Sequence, residues 1–211
     1  MEGYHSGLET KKREKQEQWD SVSEQIESIV DGRGKHIDEG VREPVVAMNV
    51  NGFSTRQSCE GHLDRGCPYP WVDFASPLAD KIRYSDERFA DLWKEHVKEM
   101  KGEELMEDGE RMELQELINT ITEANKETYL ELSELIGEFN SLDDRKVNLE
   151  IRARGMGSGR VQPAGMPIGR YEDAMKDFSK LSKEELEHNL KEYGEEMNSF
   201  TELLRNRFFE E

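Results

Sequence analysis

The amino-acid sequence predicts an α+β protein, in which a small, mainly antiparallel sheet packs on a helix and long helical extensions form a hairpin or bundle. Two observations support this class. Over most of the chain, apolar residues recur three or four positions apart, which is the spacing of one helix face. Around residues 53–75 and 147–162, short apolar runs are bounded by glycine and proline, which is typical of strands joined by turns.

The composition is strongly acidic. The 211 residues include 47 Asp and Glu against 29 Lys and Arg, so the formal net charge is −18. A field of this sign repels phosphate, and we therefore expect neither a nucleic acid nor a membrane surface as the partner. No apolar stretch reaches the length of a membrane span, and the two cysteines are too few for a disulfide-stapled secreted fold. These features predict a cytoplasmic protein.

Five stretches carry the helical spacing. The predicted helices cover residues 9–31, 37–50, 85–101, 110–139 and 182–208. In the last of these, apolar residues alternate at spacings of four and three, as in the seam of a coiled coil. The seam consists of Leu186, Leu190, Tyr193, Met197, Phe200 and Leu204. It can be buried within the chain, or it can join a second copy in a homodimer or another protein partner.

Four strands are predicted at 53–58, 71–75, 147–153 and 160–162. The last two flank a glycine-rich run between Gly155 and Gly159, which we interpret as a hairpin turn. A phosphate-binding loop is the alternative, but the run lacks the Gly-Lys-Ser/Thr ending and no helix follows it at once. We therefore expect antiparallel pairing of these two strands.

These elements predict four parts of the chain. Residues 1–35 form an N-terminal helix, and residues 36–80 with 143–170 form the small α+β core. Residues 81–142 form an inserted helical hairpin, and residues 171–211 a C-terminal helix. A helix of thirty residues is about 45 Å long, which is more than so small a core can cover.

The densest group of potentially reactive side chains lies just after the first predicted strand. A thiol, an imidazole and two carboxylates occur within the six residues from Cys59 to Asp64. Loops at strand ends commonly carry function. We therefore predict a site here, with Cys59, His62 and Glu60 as the candidate catalytic residues.

Four interpretations of this loop remain open. It is a purely structural turn, in which Gly61 supplies a positive φ. It is a thiolate site, in which His62 and the guanidinium of Arg152 or Arg154 lower the pKa of the Cys59 thiol. It is a zinc site, or it is a disulfide between the two cysteines. The zinc site would use Cys59, His62 and Cys67, with His36 or Asp64 as a fourth ligand.

A small anionic ligand is the second expected partner of this region. Arg152 and Arg154 lie two apart on a predicted strand, so they share one face, and Arg160 follows on the paired strand. Such arginines hold carboxylate or phosphate groups well. With Ser58 and Gln162 they form the candidate ligand-binding set. The alternative is a surface on which Asp143, Asp144 and Glu150 balance these charges.

The segment GFSTRQSCEGHLDRGCPYPWVDF resembles a group of uncharacterised bacterial and phage proteins. They share a T-x-x-S-C-x-G-H element followed by a P-[YW]-V-x-[FI] strand, and LEIRARGMGSGRVQP resembles the strand–turn–strand that accompanies it. This resemblance implies no assigned activity. Ser58, Cys59 and Gly61 are also similar to the Ser-Ser-Cys-Ser-Gly-Arg element of the wybutosine-synthesis methyltransferase family, with His62 in place of the arginine.

The sequence thus predicts a Cys/His site that binds a small anionic ligand or a metal such as zinc, and that is catalytic if Cys59 acts as a thiolate. The alternative is a noncatalytic helical interaction or scaffold protein, in which the Cys/His loop is structural. The two differ in one feature. An enzyme needs Cys59, His62 and an arginine to converge in a concavity, whereas a scaffold needs only exposed apolar helix faces.

Overall fold

A computed structural model describes residues 2–166, 176 and 178–210, with side chains from residue 9 onward. The parts of the predicted segments 143–170 and 171–211 that fall on residues 167–175 lie outside the described residues. More than half of the described residues are helical, and four strands form one antiparallel sheet. The α+β prediction is confirmed.

Six α-helices are described, and five of them correspond to the predicted helices. They are α1 Glu2–Ser28, α2 Glu39–Val50, α3 Pro77–Ser85, α4 Glu87–Met100, α5 Asp108–Asn140 and α6 Lys183–Glu210. Within the described part of the chain, none of these helices combines the length and the apolar character needed to cross a membrane.

Helix α3 is the one that the periodicity did not predict. Its sequence signal is the pair Ser76-Pro77, because serine is a preferred N-cap and proline is favoured in the first helical turn. The Ser76 hydroxyl accepts a hydrogen bond from the Ala79 amide at 3.0 Å. Asp86 separates α3 from α4 and caps the latter, since its carboxylate accepts from the Phe89 amide at 3.0 Å.

The sheet is assembled from distant parts of the chain. Its strands are β1 Ser54–Cys59, β2 Trp71–Ala75, β3 Leu149–Ala153 and β4 Gly159–Pro163. The spatial order is β1-β2-β4-β3, and every neighbouring pair is antiparallel. The predicted pairing of the last two strands is confirmed, and the hairpin turn between them contains a short 3₁₀ element at Gly155–Gly157.

The two faces of the sheet differ in chemistry. Directly opposed residues of paired strands point to the same side. On one side, Val72 lies opposite Val161, and both are fully buried beneath the helices. On the other side, Asp73 lies opposite Arg160, and Arg160 lies opposite Arg152. The sheet therefore has an apolar core face and a charged face.

The long helices share the main core with the apolar face. Trp19 of α1 is buried against Phe208 of α6, with ring centroids 6.1 Å apart. The seam predicted in α6 is used within the chain, since Met197, Phe200 and Leu204 are all in this core. A homodimer through that seam stays a prediction, and it would require these side chains to leave the core.

A second apolar cluster joins α3 and α4 to the first half of α5. It contains Ala79, Phe89, Leu92, Met106, Leu114 and Ile121. Buried Asn125 of α5 links it to the sheet: its Oδ1 accepts from the Ser76 amide at 2.8 Å, and its Nδ2 donates to the Met156 carbonyl at 2.7 Å. The predicted hairpin of α4 and α5 is thus present. The division of the chain into four parts stays a prediction.

Candidate metal centre

The loop after β1 is closed by its own backbone and by α6. The His62 amide donates to the Cys67 carbonyl at 2.9 Å. Gly61 has a φ of +88°, as its predicted turn role requires. A β-carbon at this position would lie 2.9 Å from the backbone of Tyr69 and 2.5 Å from Cδ1 of Leu190. Only glycine satisfies both the conformation and the space.

Three side chains with different donor atoms meet beside this turn. Asp38, Cys59 and His62 each offer one ligand atom, and these three atoms all lie within 4.8 Å of one another. Nε2 of His62 is 3.3 Å from Oδ2 of Asp38. All three residues are half-buried. Asp38 immediately precedes α2, so the packing of α2 on β1 brings its carboxylate to the cysteine and the histidine.

Glu60, a candidate catalytic residue, contacts the start of α2 through its carboxylate. Its Oε2 accepts a hydrogen bond from the Gly40 amide at 2.8 Å. Gly40 lies in the first turn of α2, where the amides lack partners inside the helix and favour a negative charge. Glu60 therefore fastens the loop to the start of α2, while Asp38 is the carboxylate next to the imidazole.

The surroundings of Cys59 favour the neutral thiol. Burial raises the pKa of this thiol, and the nearby groups Asp38, Cys67 and Glu60 raise it further, whereas a hydrogen bond from the Gly61 amide lowers it. A reactive thiolate needs a neighbouring positive charge. The charged groups that act most on Cys59 are carboxylates, so the predicted activation by Arg152 or Arg154 finds no support in this geometry.

Cys67 lies near this group but outside it. Its thiol and that of Cys59 are both free, so the structure contains no disulfide between them. Burial and the neighbouring Cys67 sulfur raise the pKa of the Tyr69 hydroxyl. Among the residues that the structure describes, the compact donor set contains Asp38 in place of Cys67. Neither His36 nor Asp64, the candidate fourth ligands, belongs to this set.

The predicted ligand-binding residues separate into two groups. Arg154 and Arg160 line a groove on the charged face of the sheet, together with Arg56 and Arg83. Arg152 instead pairs with Glu150 at 2.8 Å and donates to the carbonyl of Met166.

Two further candidates lie outside this groove. Gln162 also donates to Glu150, at 3.0 Å. Ser58 lies opposite Val72 and so belongs to the other face of the sheet. Neither Cys59 nor His62 is among the residues that line the groove containing Arg154 and Arg160.

Sequence reasoning missed several residues of these sites. Asp38 was overlooked because it is 21 positions from Cys59, and only the packing of α2 on β1 joins them. Arg56 and Arg83 were overlooked because they lie on β1 and α3, away from the arginine-bearing hairpin. No sequence signal marks Arg56, since the register shift between Thr55 and Gln57 at its position is visible only in the structure.

The chain matches no protein-family model, no curated protein and no solved structure. The resemblances drawn from the sequence therefore stay predictions.

Proposed function

We propose that this protein binds a divalent transition-metal ion, with zinc as the best fit, through Asp38, Cys59 and His62. The observation that carries the proposal is the mutual approach of the three donor atoms, all within 4.8 Å. Atoms bound to one zinc ion at about 2.0–2.3 Å are less than 5 Å apart. Small side-chain adjustments therefore suffice to bring all three onto one ion.

The donor chemistry supports zinc over other common ions. A sulfur, an imidazole nitrogen and a carboxylate oxygen are the three ligand types that zinc accepts, whereas magnesium and calcium prefer oxygen alone. Zinc also resolves the electrostatics of the site. Burial and carboxylates disfavour a bare thiolate at Cys59, but a bound dication stabilises it directly.

Three protein ligands leave one position of a tetrahedral ion for water or substrate. Structural zinc sites use four protein ligands, and catalytic sites commonly use three. A water bound at the open position becomes acidic enough to act as a nucleophile near neutral pH. The proposal thus favours metal-assisted chemistry over a metal-free cysteine nucleophile.

The experiment is metal binding by the full-length protein. We expect one zinc ion per chain, measured by competition with a chromophoric chelator. Cobalt substituted for zinc should give the near-ultraviolet absorption band of a thiolate–cobalt bond. Asp38→Asn and Cys59→Ser should each weaken zinc binding at least about 100-fold, because each removes a ligand and not merely its support. The cobalt–thiolate band should be absent in Cys59→Ser.

Two neighbouring variants serve as controls. Asp64→Asn changes an exposed carboxylate of the same loop and should leave binding unchanged. Cys67→Ser removes the other thiol and should retain the cobalt–thiolate band. The proposal fails if wild-type protein binds no metal in a saturable manner, or if Cys59→Ser binds zinc as tightly as wild type.

A further inference from the structure

A groove of about 410 Å³ lies on the charged face of the sheet, and none of Asp38, Cys59 and His62 lines it. It is bordered by β1, β2, β4 and the end of α3. Four arginines line it, and Asp73 is the one acidic residue among the lining side chains. The arginines are Arg56, Arg83, Arg154 and Arg160. The chain has a net charge of −18, so four arginines around one groove are an unusual local concentration of positive charge.

Two of the arginines are held in place by the sheet. Asp73 lies opposite Arg160 and accepts from its Nε and Nη2 at 2.5 and 2.8 Å. The same guanidinium stacks on Trp71, with its carbon 3.4 Å from the ring centroid. Nε of Arg154 is 3.6 Å from Asp73. Asp73 therefore orients both guanidinium groups while leaving further N–H groups of each for a ligand.

The other two arginines have unused donor capacity. Arg56 donates from Nε to Asp80 at 2.6 Å, but its Nη2 is buried and contacts no acceptor in the described part of the chain. Arg83 has no carboxylate within 4.0 Å among the described residues, and its guanidinium lies 5.8 Å from the ring centroid of Tyr84. A buried donor without a partner is unfavourable, so a bound oxyanion that accepted a hydrogen bond from Nη2 of Arg56 would be stabilising.

The charge and the size of the groove indicate the ligand class. The four guanidinium groups are opposed by the carboxylates of Asp73 and Asp80, which leaves two positive charges. A phosphate monoester carries about −1.5 to −2 near pH 7. Arginine also matches phosphate oxygens with paired N–H donors. A phosphate group alone fills a small part of this volume, and the exposed ring of Tyr84 offers an apolar surface to the rest of the molecule.

We propose that this groove binds a small phosphomonoester, with the phosphate held by Arg56, Arg83, Arg154 and Arg160 and the organic group lying against Tyr84. Extended polyanions do not fit this assignment, because the chain as a whole carries a net charge of −18 and its field repels them. The site is independent of the metal centre, and its test uses different variants, so either proposal can fail alone.

The test is calorimetric titration of the full-length protein with phenyl phosphate, with benzoate and with phenol, all at one ionic strength. We expect saturable binding of one phenyl phosphate per chain, and binding of benzoate at least tenfold weaker. Phenol should not bind measurably. Tighter binding of benzoate than of phenyl phosphate would overturn the phosphate assignment, and so would the absence of saturable binding by phenyl phosphate.

Variants locate the site. Arg83→Gln and Arg154→Gln should each weaken phenyl phosphate binding at least tenfold. The matched control is Arg88→Gln, because Arg88 is an exposed arginine that pairs with Glu113 and does not line the groove. Tyr84→Ala should weaken phenyl phosphate binding and leave inorganic phosphate binding unchanged. The proposal is contradicted if Arg83→Gln and Arg154→Gln both bind phenyl phosphate as tightly as wild type. Thermal unfolding midpoints equal to that of wild type would confirm that the variants fold.

Discussion

Gly61 packs directly against Leu190, so that a β-carbon added to the glycine would lie 2.5 Å from Cδ1 of the leucine. This contact brings α6 onto the turn that carries Cys59 and His62. It also joins the predicted core to the predicted C-terminal helix, since Leu190 belongs to the seam of that helix. The geometry of the candidate metal centre therefore depends on a helix more than 120 positions away in sequence.

Replacing Gly61 by alanine should destabilise the fold by about 2–4 kcal/mol, because the substitution combines an unfavourable positive φ with steric overlap. The matched control is Gly66→Ala in the same loop. Gly66 also has a positive φ, of +66°, but nothing lies within 4 Å of an added β-carbon. Gly66→Ala should lower the free energy of unfolding by only about 1 kcal/mol. Urea denaturation measures both variants, and equal losses would show that the contact with α6 contributes nothing.

Zinc affinity should rise with pH through the ionisation of Cys59. Burial raises the pKa of this thiol, so it is protonated at neutral pH and must lose its proton on binding the metal. Below the thiol pKa, each pH unit should therefore strengthen zinc binding about tenfold from this residue alone. Affinities measured between about pH 6.5 and 8 test the slope. Cys59→Ser should lose about one unit of that slope, and identical slopes would exclude Cys59 as a ligand.

The ion pair between Arg145 and Glu196 should be important for stability. Nη1 of Arg145 donates to Glu196 at 3.0 Å, and the two side chains are only 11% and 5% exposed. Glu196 also accepts from the Lys146 amide at 2.8 Å, so it ties the segment before β3 to α6. Glu196→Gln removes the buried counter-charge of Arg145 and leaves, among the described residues, only the exposed carboxylate of Asp144, so it should cost about 2–4 kcal/mol.

The adjacent Glu195 provides the control for this prediction. Glu195 pairs with Lys146 at 2.8 Å, but both side chains are about half exposed. Exposed ion pairs contribute little, because water and salt screen them. Glu195→Gln should leave the urea midpoint close to that of wild type. A loss equal to that of Glu196→Gln would mean that burial of the Arg145 pair is not what stabilises the fold.

Local sequence patterns were sufficient for most secondary structure. Spacings of three and four depend only on which residues face one side of a helix, and this is why five of the helices were predicted. The four strands were predicted from short apolar runs and turn residues in the same way. Helix α3 was missed because nine residues, with Ala79 as their one buried position, are too few to show a period.

The sequence by itself determined five of the six described helices, the β3–β4 hairpin and the sharp turn at Gly61, because each depends on neighbours within a few positions. Tertiary structure decided which residues share a site. Asp38 reaches Cys59 and His62 only because α2 packs on β1. Arg160 reaches Asp73 only because β4 pairs with β2, across 87 positions. Such contacts arise from burial and strand pairing over the whole chain, and local sequence patterns do not predict which distant segments come into contact.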